Sequence, residues 1–186
     1  MKYKDGHNSI IQTLISISPE ALMFPDSIPR CLSFGMTHVK FVIPDREQWI
    51  ERQIQTDFDV NIFTDGSKTD LGTGAGVYIN CPSNIPFIED VRDYQILGKT
   101  ATIFQAEITA IANAITIVSH LTGLSITFYV DSQAAIHALK ANLNVSNIVM
   151  NCKHTLSKLA QTNNVTVMWV PGHTGIQGNE EADLLA

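Results

Sequence analysis

The sequence lacks the features that mark membrane-spanning and secreted proteins. No run of about 18 apolar residues occurs among its 186 residues, so no transmembrane helix is predicted. The two lysines at positions 2 and 4 are followed at once by polar residues, and the apolar stretch 10–17 is interrupted, so no secretory signal is predicted. The three cysteines are far apart and form no CxxC pair, which favours neither a zinc knuckle nor a disulfide framework. We therefore expect an intracellular protein of the cytoplasm or nucleus, one that is not secreted.

Positive charge is also scarce. The chain has 12 lysines and arginines against 18 aspartates and glutamates, which gives a formal net charge of −6. Proteins that bind nucleic acid tightly on their own are usually basic, so strong independent binding is not predicted. Clustered carboxylates of an active site would themselves add negative charge, so an active site that works on nucleic acid is not excluded. A hydrophobic content of 45% is enough for one domain with a real core plus an extension.

The first 60 residues differ in pattern from the rest of the chain. Prolines at positions 19, 25, 29 and 44 punctuate them, and no long helical or strand periodicity survives between these prolines. Short helices are predicted only around residues 8–16 and 45–55. We interpret residues 1–59 as a connecting N-terminal extension and residues 60–186 as the folded domain.

From residue 60 onwards the pattern predicts the element order β-β-β-α-β-α-α-β-α. Strands are predicted over residues 60–65, 77–79, 94–97, 125–131 and 165–170, and helices over residues 102–119, 132–141, 146–161 and from 178 to the end. This order predicts an α/β fold, a five-stranded mixed sheet with helices on both faces. The last helix is then cut short at residue 186.

Four acidic residues occupy positions from which they can converge. Asp65 and Asp131 each end a predicted strand, where ligand sites lie in such sheets. Glu107 lies on the sheet-facing side of its helix, and Asp183 lies in the first turns of the last helix. A single acid near a strand end is usually a surface or capping residue, but four are harder to explain that way. Converged carboxylates need cations, and oxygen ligands favour Mg²⁺, with Mn²⁺ as the alternative. A pair of such ions fits phosphodiester cleavage.

His173 lies in the glycine-flanked loop 171–175, ten positions before Asp183. A lone loop histidine is more often exposed and idle. Here the two glycines give the loop freedom and the acid follows closely, so a mobile proton carrier beside the metals is a reasonable interpretation.

The four acids lie in motifs that resemble the ribonuclease H type 1 family. The motifs are FTDGS at residues 63–67, QAE at 105–107, VDSQ at 130–133 and WVPGHTGIQGNEEAD at 169–183. The first is weak by itself and the last is strong, and all four in this order over residues 60–186 are highly specific. The residues of these motifs are most similar to those of the ribonuclease H domains attached to reverse transcriptases of non-LTR retrotransposons.

The resemblance implies a metal-dependent endonuclease that hydrolyses the RNA strand of RNA–DNA hybrids with two Mg²⁺ ions. It implies that Asp65 bridges both metals, that Glu107 and Asp131 complete the leaving-group metal, and that Asp183 completes the water-activating metal. His173 would assist proton transfer or product release. The RNA–DNA hybrid is the expected partner, with a reverse transcriptase domain as a second candidate partner, and a monomer is expected.

The resemblance also implies substrate contacts. Gly66 and Ser67 would lie near the RNA 2′-hydroxyls, the group that distinguishes RNA from DNA. Thr102 matches a phosphate-pocket threonine of the family. Ser132, the residue after the third acid, is also expected to contact substrate. Asn179 would support the catalytic loop. The chain departs from cellular members at residues 103 and 104, which are isoleucine and phenylalanine instead of polar residues, and the segment 140–153 holds no basic protrusion.

Two other functions stay open. The acidic charge, the missing basic protrusion and the shortened last helix favour a remnant that binds nucleic acid or protein without cleavage. A different nuclease or a transposase on the same fold is disfavoured, because such enzymes usually place a glutamate where this chain has Asp183.

Overall fold

Eight strands and five helices make up the part of the chain that the computed structural model describes, residues 26–32, 36, 38–50, 58–81 and 90–186. The strands are β1 (Ser27–Leu32), β2 (Val39–Val42), β3 (Val60–Lys68), β4 (Thr73–Asn80), β5 (Val91–Gly98), β6 (Ser125–Val130), β7 (Leu143–Ser146) and β8 (Asn164–Trp169). The helices are α1 (Arg46–Ile50), α2 (Ile103–Val118), α3 (Gln133–Lys140), α4 (Asn147–Leu159) and α5 (Gln177–Leu185). The predicted helix at residues 8–16 lies outside the described residues, as does the end of the one predicted over 45–55.

The main sheet has six strands in the order β2-β8-β6-β3-β4-β5. Strands β2, β8, β6 and β3 are parallel, whereas β4 and β5 continue the sheet as antiparallel neighbours. The mixed α/β architecture is therefore confirmed, but the predicted count of five strands is wrong by one. The additional strand is β2, which comes from the N-terminal extension and pairs with β8 from Val39↔Val165 to Val42↔Met168.

Strand β3 runs further than predicted. Residues 66 and 67 were expected to end it, but its antiparallel ladder with β4 continues to the pair Lys68↔Thr73. Its parallel ladder with β6, in contrast, ends at Thr64↔Val130. Asp65 is therefore inside a strand, yet it is the first residue beyond the parallel part of the sheet.

The helices begin where short hydroxyl side chains cap them. Thr102, Ser132 and Ser146 accept hydrogen bonds from the backbone N–H groups at the third helical positions of α2, α3 and α4. At α2 the Gln105 side chain also accepts from the Thr102 N–H, which completes a capping box. The predicted helices over 102–119, 132–141 and 146–161 are confirmed to within two residues at each end.

Helices cover both faces of the sheet, as predicted. In the β3–β4 ladder Gly66 pairs with Ala75, and Asp65 pairs with Gly76, so the two pairs point to opposite faces. Gly66 abuts the backbone of α2, and Gly76 abuts the backbone of α5. Most of the buried aliphatic side chains form one cluster that includes the α2 side of the sheet and the helices α3 and α4.

A small second sheet joins the N-terminal extension to α4. Strand β1 pairs antiparallel with β7, and neither strand was predicted. Just before β1, the Asp26 carboxylate accepts hydrogen bonds from Ser146 Oγ (2.6 Å) and from the Ile148 N–H (2.8 Å) at the start of α4. None of the helices in the described residues combines the length and the apolar character needed to cross a membrane.

Candidate active site

Asp65 and Asp131 meet where the parallel ladder between β3 and β6 ends. The last pair of that ladder is Thr64↔Val130, so each aspartate is the next residue along its own strand direction. Asp65 is buried and Asp131 is half-buried. The carboxyl end of neighbouring parallel strands thus places two carboxylates side by side, as ligand sites in open α/β sheets require.

Glu107 reaches the two aspartates because Gly66 has no side chain. A Cβ at residue 66 would lie 2.5 Å from the Glu107 nitrogen and 2.9 Å from the carbonyl carbon of Ala106. A Cβ does not come this close to a non-bonded heavy atom in folded proteins, so only glycine lets α2 pack this closely on β3. The close approach brings the buried Glu107 side chain to the strand ends.

The three carboxyl groups form one compact cluster. Oxygen atoms of Asp65, Glu107 and Asp131 all lie within 4.8 Å of one another. Burial, followed by the neighbouring charges of Asp131 and Asp65, raises the pKa of Glu107 from 4.5 to about 9. Burial, followed by the charges of Asp131 and Asp183, raises the pKa of Asp65 from 3.8 to about 7. The cluster therefore resists full ionisation in the absence of a cation.

Asp131 is the best supported of the three carboxylates. Burial raises its pKa, but a hydrogen bond from the Asn179 side chain and the charge of His173 act in the opposite direction. Its backbone carbonyl also accepts a hydrogen bond from Trp169 Nε1 at 3.0 Å. Gly172 lies against the carboxylate, since a Cβ there would be 2.7 Å from Asp131 Oδ2. These contacts fix Asp131 from three sides.

A second group, on the exposed side of the cluster, contains His173, Glu180 and Asp183. Their candidate ligand atoms also lie within 4.8 Å of one another, and His173 Nδ1 is 3.6 Å from Asp183 Oδ2. The His173 side chain is 79% exposed, and the residue has a φ of 52°. The charge of Asp183 raises the pKa of Asp65, so Asp183 lies near the first cluster although it is not part of it.

Glu180 is a member that sequence reasoning missed. Its Oε1 accepts a hydrogen bond from the Gly175 N–H at 3.2 Å, so α5 holds the loop that carries His173. Thr174 Oγ1 donates to the Pro171 carbonyl at 2.8 Å and closes the same loop. The signal was present, because Glu180 precedes Asp183 by three residues and therefore shares its helix face.

The predicted substrate contacts differ in their accessibility. Thr102 is exposed, Ser67 and Ser132 are partly exposed, and Gly66 is buried under α2. Asn179 is only 2% exposed and is directed at Asp131. Thr102 and Ser132 also cap helices, which gives each a structural reason for its residue type. Their contacts with substrate stay predictions.

The first cluster fits a divalent cation. Glu107 Oε2 is buried and has no hydrogen-bond partner among the described residues. An ionised oxygen in that position is costly unless a positive charge is nearby. Three carboxylates without nitrogen or sulfur ligands form a donor set suited to hard cations. Asp65, Glu107 and Asp131 are therefore the residues that could hold such an ion.

The fold and the carboxylate cluster define the class of the protein as ribonuclease H-like. The chain is similar to the crystal structure of RNase H1 from the halophilic archaeon Halobacterium salinarum NRC-1, with a TM-score of 0.50 and 20% identity. The match covers 68% of this chain and 93% of that chain, and at this identity it concerns the fold alone. The comparison with curated proteins found no match.

The sequence profile of the family described as RNase H matches residues 57–186. This match covers well over half of the chain, and the chain belongs to the RNase H family. At the level of the family, its class is that of a nuclease for RNA–DNA hybrids.

Proposed function

We propose that this chain hydrolyses the RNA strand of RNA–DNA hybrids with the help of two divalent cations, physiologically Mg²⁺, with Mn²⁺ as a substitute. The observation that carries the proposal is the largely buried cluster of Asp65, Glu107 and Asp131, with its raised pKa values and the unpartnered Glu107 oxygen. Such a cluster destabilises the fold unless it binds positive charge. Hydrolysis of RNA–DNA hybrids, the reaction of the family, would use that charge.

Each side chain has a role in this proposal. Asp65 belongs to the first cluster and also senses the charge of Asp183, which raises its pKa, so it suits a ligand shared by two ions. Glu107 and Asp131 would help to hold one ion, and Asp183 would help to hold the other. The cations would supply Lewis acidity at the scissile phosphate and a nucleophilic water at neutral pH.

His173 is proposed to carry a proton beside these carboxylates. Its side chain is exposed, and its loop is held by Glu180. An imidazole changes its charge near neutral pH and can accept or release a proton while substrate is bound.

A cleavage assay with a matched pair of variants tests the proposal. Wild-type protein should cleave the labelled RNA strand of a hybrid in Mg²⁺ and stop when the metal is chelated. Asp131→Asn should reduce kcat/KM by about 100-fold or more, because a metal ligand is lost. Asp70→Asn makes the same chemical change in the exposed β3–β4 turn and should leave the activity unchanged.

Other outcomes would separate the competing functions. Equal cleavage by wild type and Asp131→Asn, or no cleavage by either, contradicts the proposal. Tight binding of the hybrid without cleavage would favour the non-catalytic remnant. Preference for duplex DNA over hybrid would favour a different nuclease on the same fold.

A retroelement origin is the finer part of the proposal. The motif residues at 63–67 and 169–183 support it. The low count of 12 basic residues also supports it, because an attached polymerase could hold the hybrid in place of a basic protrusion. We propose a reverse transcriptase domain as the natural partner, and a monomeric nuclease unit.

A further inference from the structure

Two elements outside the family match lie beside β8, the strand that leads into the candidate active site. The match begins at residue 57, whereas β2 and α1 occupy residues 39–50. Strand β2 runs parallel to β8 on the outer edge of the sheet. From β2 the chain passes through the buried Pro44 into α1, which carries Trp49. The segment 39–50 therefore follows β8 towards the end at which the carboxylates lie.

Trp49 bonds to the last residue of β8. Its Nε1 donates to the Trp169 carbonyl oxygen at 3.0 Å, across 120 positions of sequence. The β2–β8 ladder ends one residue earlier, at Val42↔Met168, so the indole supplies the donor where the ladder stops. The Trp49 ring also contacts Tyr129 edge to face, with centroids 6.3 Å apart.

Trp169 connects Trp49 to the candidate active site. Its own indole Nε1 donates to the Asp131 carbonyl oxygen at 3.0 Å. The next residue, Val170, donates its N–H to Val130 at 3.1 Å. Two residues further, Gly172 lies against the Asp131 carboxylate, and His173 follows it. Two consecutive indole hydrogen bonds thus connect the N-terminal segment to both Asp131 and the histidine loop.

We propose that Trp49 is a positioning residue of the nuclease, and that residues 39–50 belong to the catalytic unit. The inference rests on the proposed function, since the groups that Trp49 positions are Asp131 and His173. Without the indole donor, the Trp169 carbonyl loses a partner in a part-buried position. Trp169 then has room to shift, and its bond to Asp131 weakens with it.

The sequence offers a direct spectroscopic test, because Trp49 and Trp169 are its only two tryptophans. Trp49→Phe keeps an aromatic ring against Tyr129 and removes the N–H donor together with the pyrrole part of the indole. In the metal-free full chain, the remaining indole resonance of Trp169 should shift, and its hydrogen exchange should accelerate about threefold to tenfold, the factor expected for one hydrogen bond.

Metal binding gives a second readout. The Mg²⁺ concentration that half-saturates the shift of the Trp169 indole resonance should rise by a similar factor in Trp49→Phe. In the cleavage assay kcat should fall by that factor while KM stays nearly constant, because Asp131 and His173 act on the reaction more than on hybrid binding. Val42→Ala is the comparison for lost packing, since it loosens the same segment but keeps the indole bond, and it should change the Trp169 exchange and the Mg²⁺ half-saturation less than Trp49→Phe does.

A third measurement uses the wild-type chain alone and does not depend on the folding of a variant. Saturating Mg²⁺ should slow the hydrogen exchange of both indole protons, because coupling between two sites is reciprocal. Protection of the Trp169 proton without any change at Trp49 overturns the proposal. So do equal exchange rates and equal Mg²⁺ half-saturation in wild type and Trp49→Phe.

The two proposals can fail separately. If the wild-type chain does not cleave hybrid but Trp169 exchange accelerates in Trp49→Phe, the proposed function is contradicted and the positioning role is supported. If the wild-type chain cleaves hybrid but the Trp169 resonance is unchanged in Trp49→Phe, the proposed function is supported and the positioning role is contradicted.

Discussion

At the scale of single residues, Glu107 carries the largest electrostatic cost of the site. Its carboxyl group has an ordinary pKa of 4.5 in the unfolded chain and a pKa of about 9 in the folded protein. The folded state therefore binds the proton more tightly than the unfolded state. The resulting stability is fully present below about pH 4.5 and is lost as the pH rises through 9.

Replacement of this carboxyl should consequently stabilise the metal-free protein. Glu107→Gln is nearly isosteric and cannot ionise, so we expect its melting temperature at pH 8 to exceed that of wild type by a few degrees, with a smaller decline between pH 5 and 9. Thermal unfolding in a chelator measures this, and the same variant should be inactive.

Glu47→Gln provides the matched control, because it makes the same chemical change on an exposed side chain of α1. An equal decline with pH in wild type and Glu107→Gln would show that the buried carboxyl does not carry this free energy.

At the scale of elements, the contact between α5 and β4 places Asp183. A Cβ at Gly76 would overlap the Ala182 carbonyl oxygen and lie 2.8 Å from the Ala186 nitrogen. These are backbone atoms, so the whole helix would have to move. Glycine is therefore a requirement of the packing at this position.

Gly76→Ala should lower the free energy of unfolding by about 1–3 kcal/mol, the usual cost of an inserted methyl in a packed core. Activity should fall as well, because α5 carries Asp183. Denaturant unfolding measures the first effect and the hybrid assay the second.

The matched control lies in the same hairpin. A Cβ at Gly72 would meet nothing closer than 3.8 Å, so Gly72→Ala should be neutral or slightly stabilising. If Gly76→Ala proves as stable as Gly72→Ala, the close packing of α5 on β4 is not what places the helix.

The elements also show what the sequence could and could not predict. Helices α2, α3 and α4 were predicted because their periodicity and their capping residues Thr102, Ser132 and Ser146 are local signals. The predicted end of β3 at residue 65 was wrong, because residues 66 and 67 favour a turn locally but are kept extended by pairing with β4. Strand β2 was missed because it lies in the proline-interrupted extension and is defined by its pairing with the distant strand β8, which no local pattern encodes.

The same distinction holds for the candidate site. Asp65, Glu107, Asp131 and Asp183 could be predicted because each lies in a recognisable motif, although their catalytic roles stay predictions. The bonds from Trp49 to Trp169 and from Trp169 to Asp131 span 120 and 38 positions. No local pattern encodes a contact between an indole and a distant carbonyl, so only the folded chain reveals it.

At the scale of the whole molecule, charge decides how the protein responds to ions. The net charge of −6 and the buried carboxylate cluster act together to destabilise the metal-free fold. Ions that bind the cluster in the folded state relieve this repulsion and shift the unfolding equilibrium.

Mg²⁺ should therefore raise the melting temperature. At ten times its dissociation constant it should contribute about 1.4 kcal/mol, which corresponds to roughly 3–5 °C for a chain of this size. NaCl at matched ionic strength, and Asp131→Asn in Mg²⁺, are the controls for general screening. A melting temperature that responds to NaCl and Mg²⁺ alike would contradict specific binding at the cluster.

Strand β2 has one more consequence, which concerns the boundary of the protein when it is handled as a fragment. It covers the outer edge of β8, whose residues 165, 167 and 168 are buried. A fragment that starts at residue 57, where the family match starts, would leave that row of N–H and C=O groups unpaired. An uncovered, largely apolar edge is a template for any extended chain, including another copy of the same fragment. A soluble fragment of this protein should therefore include β2, although the family match begins after it.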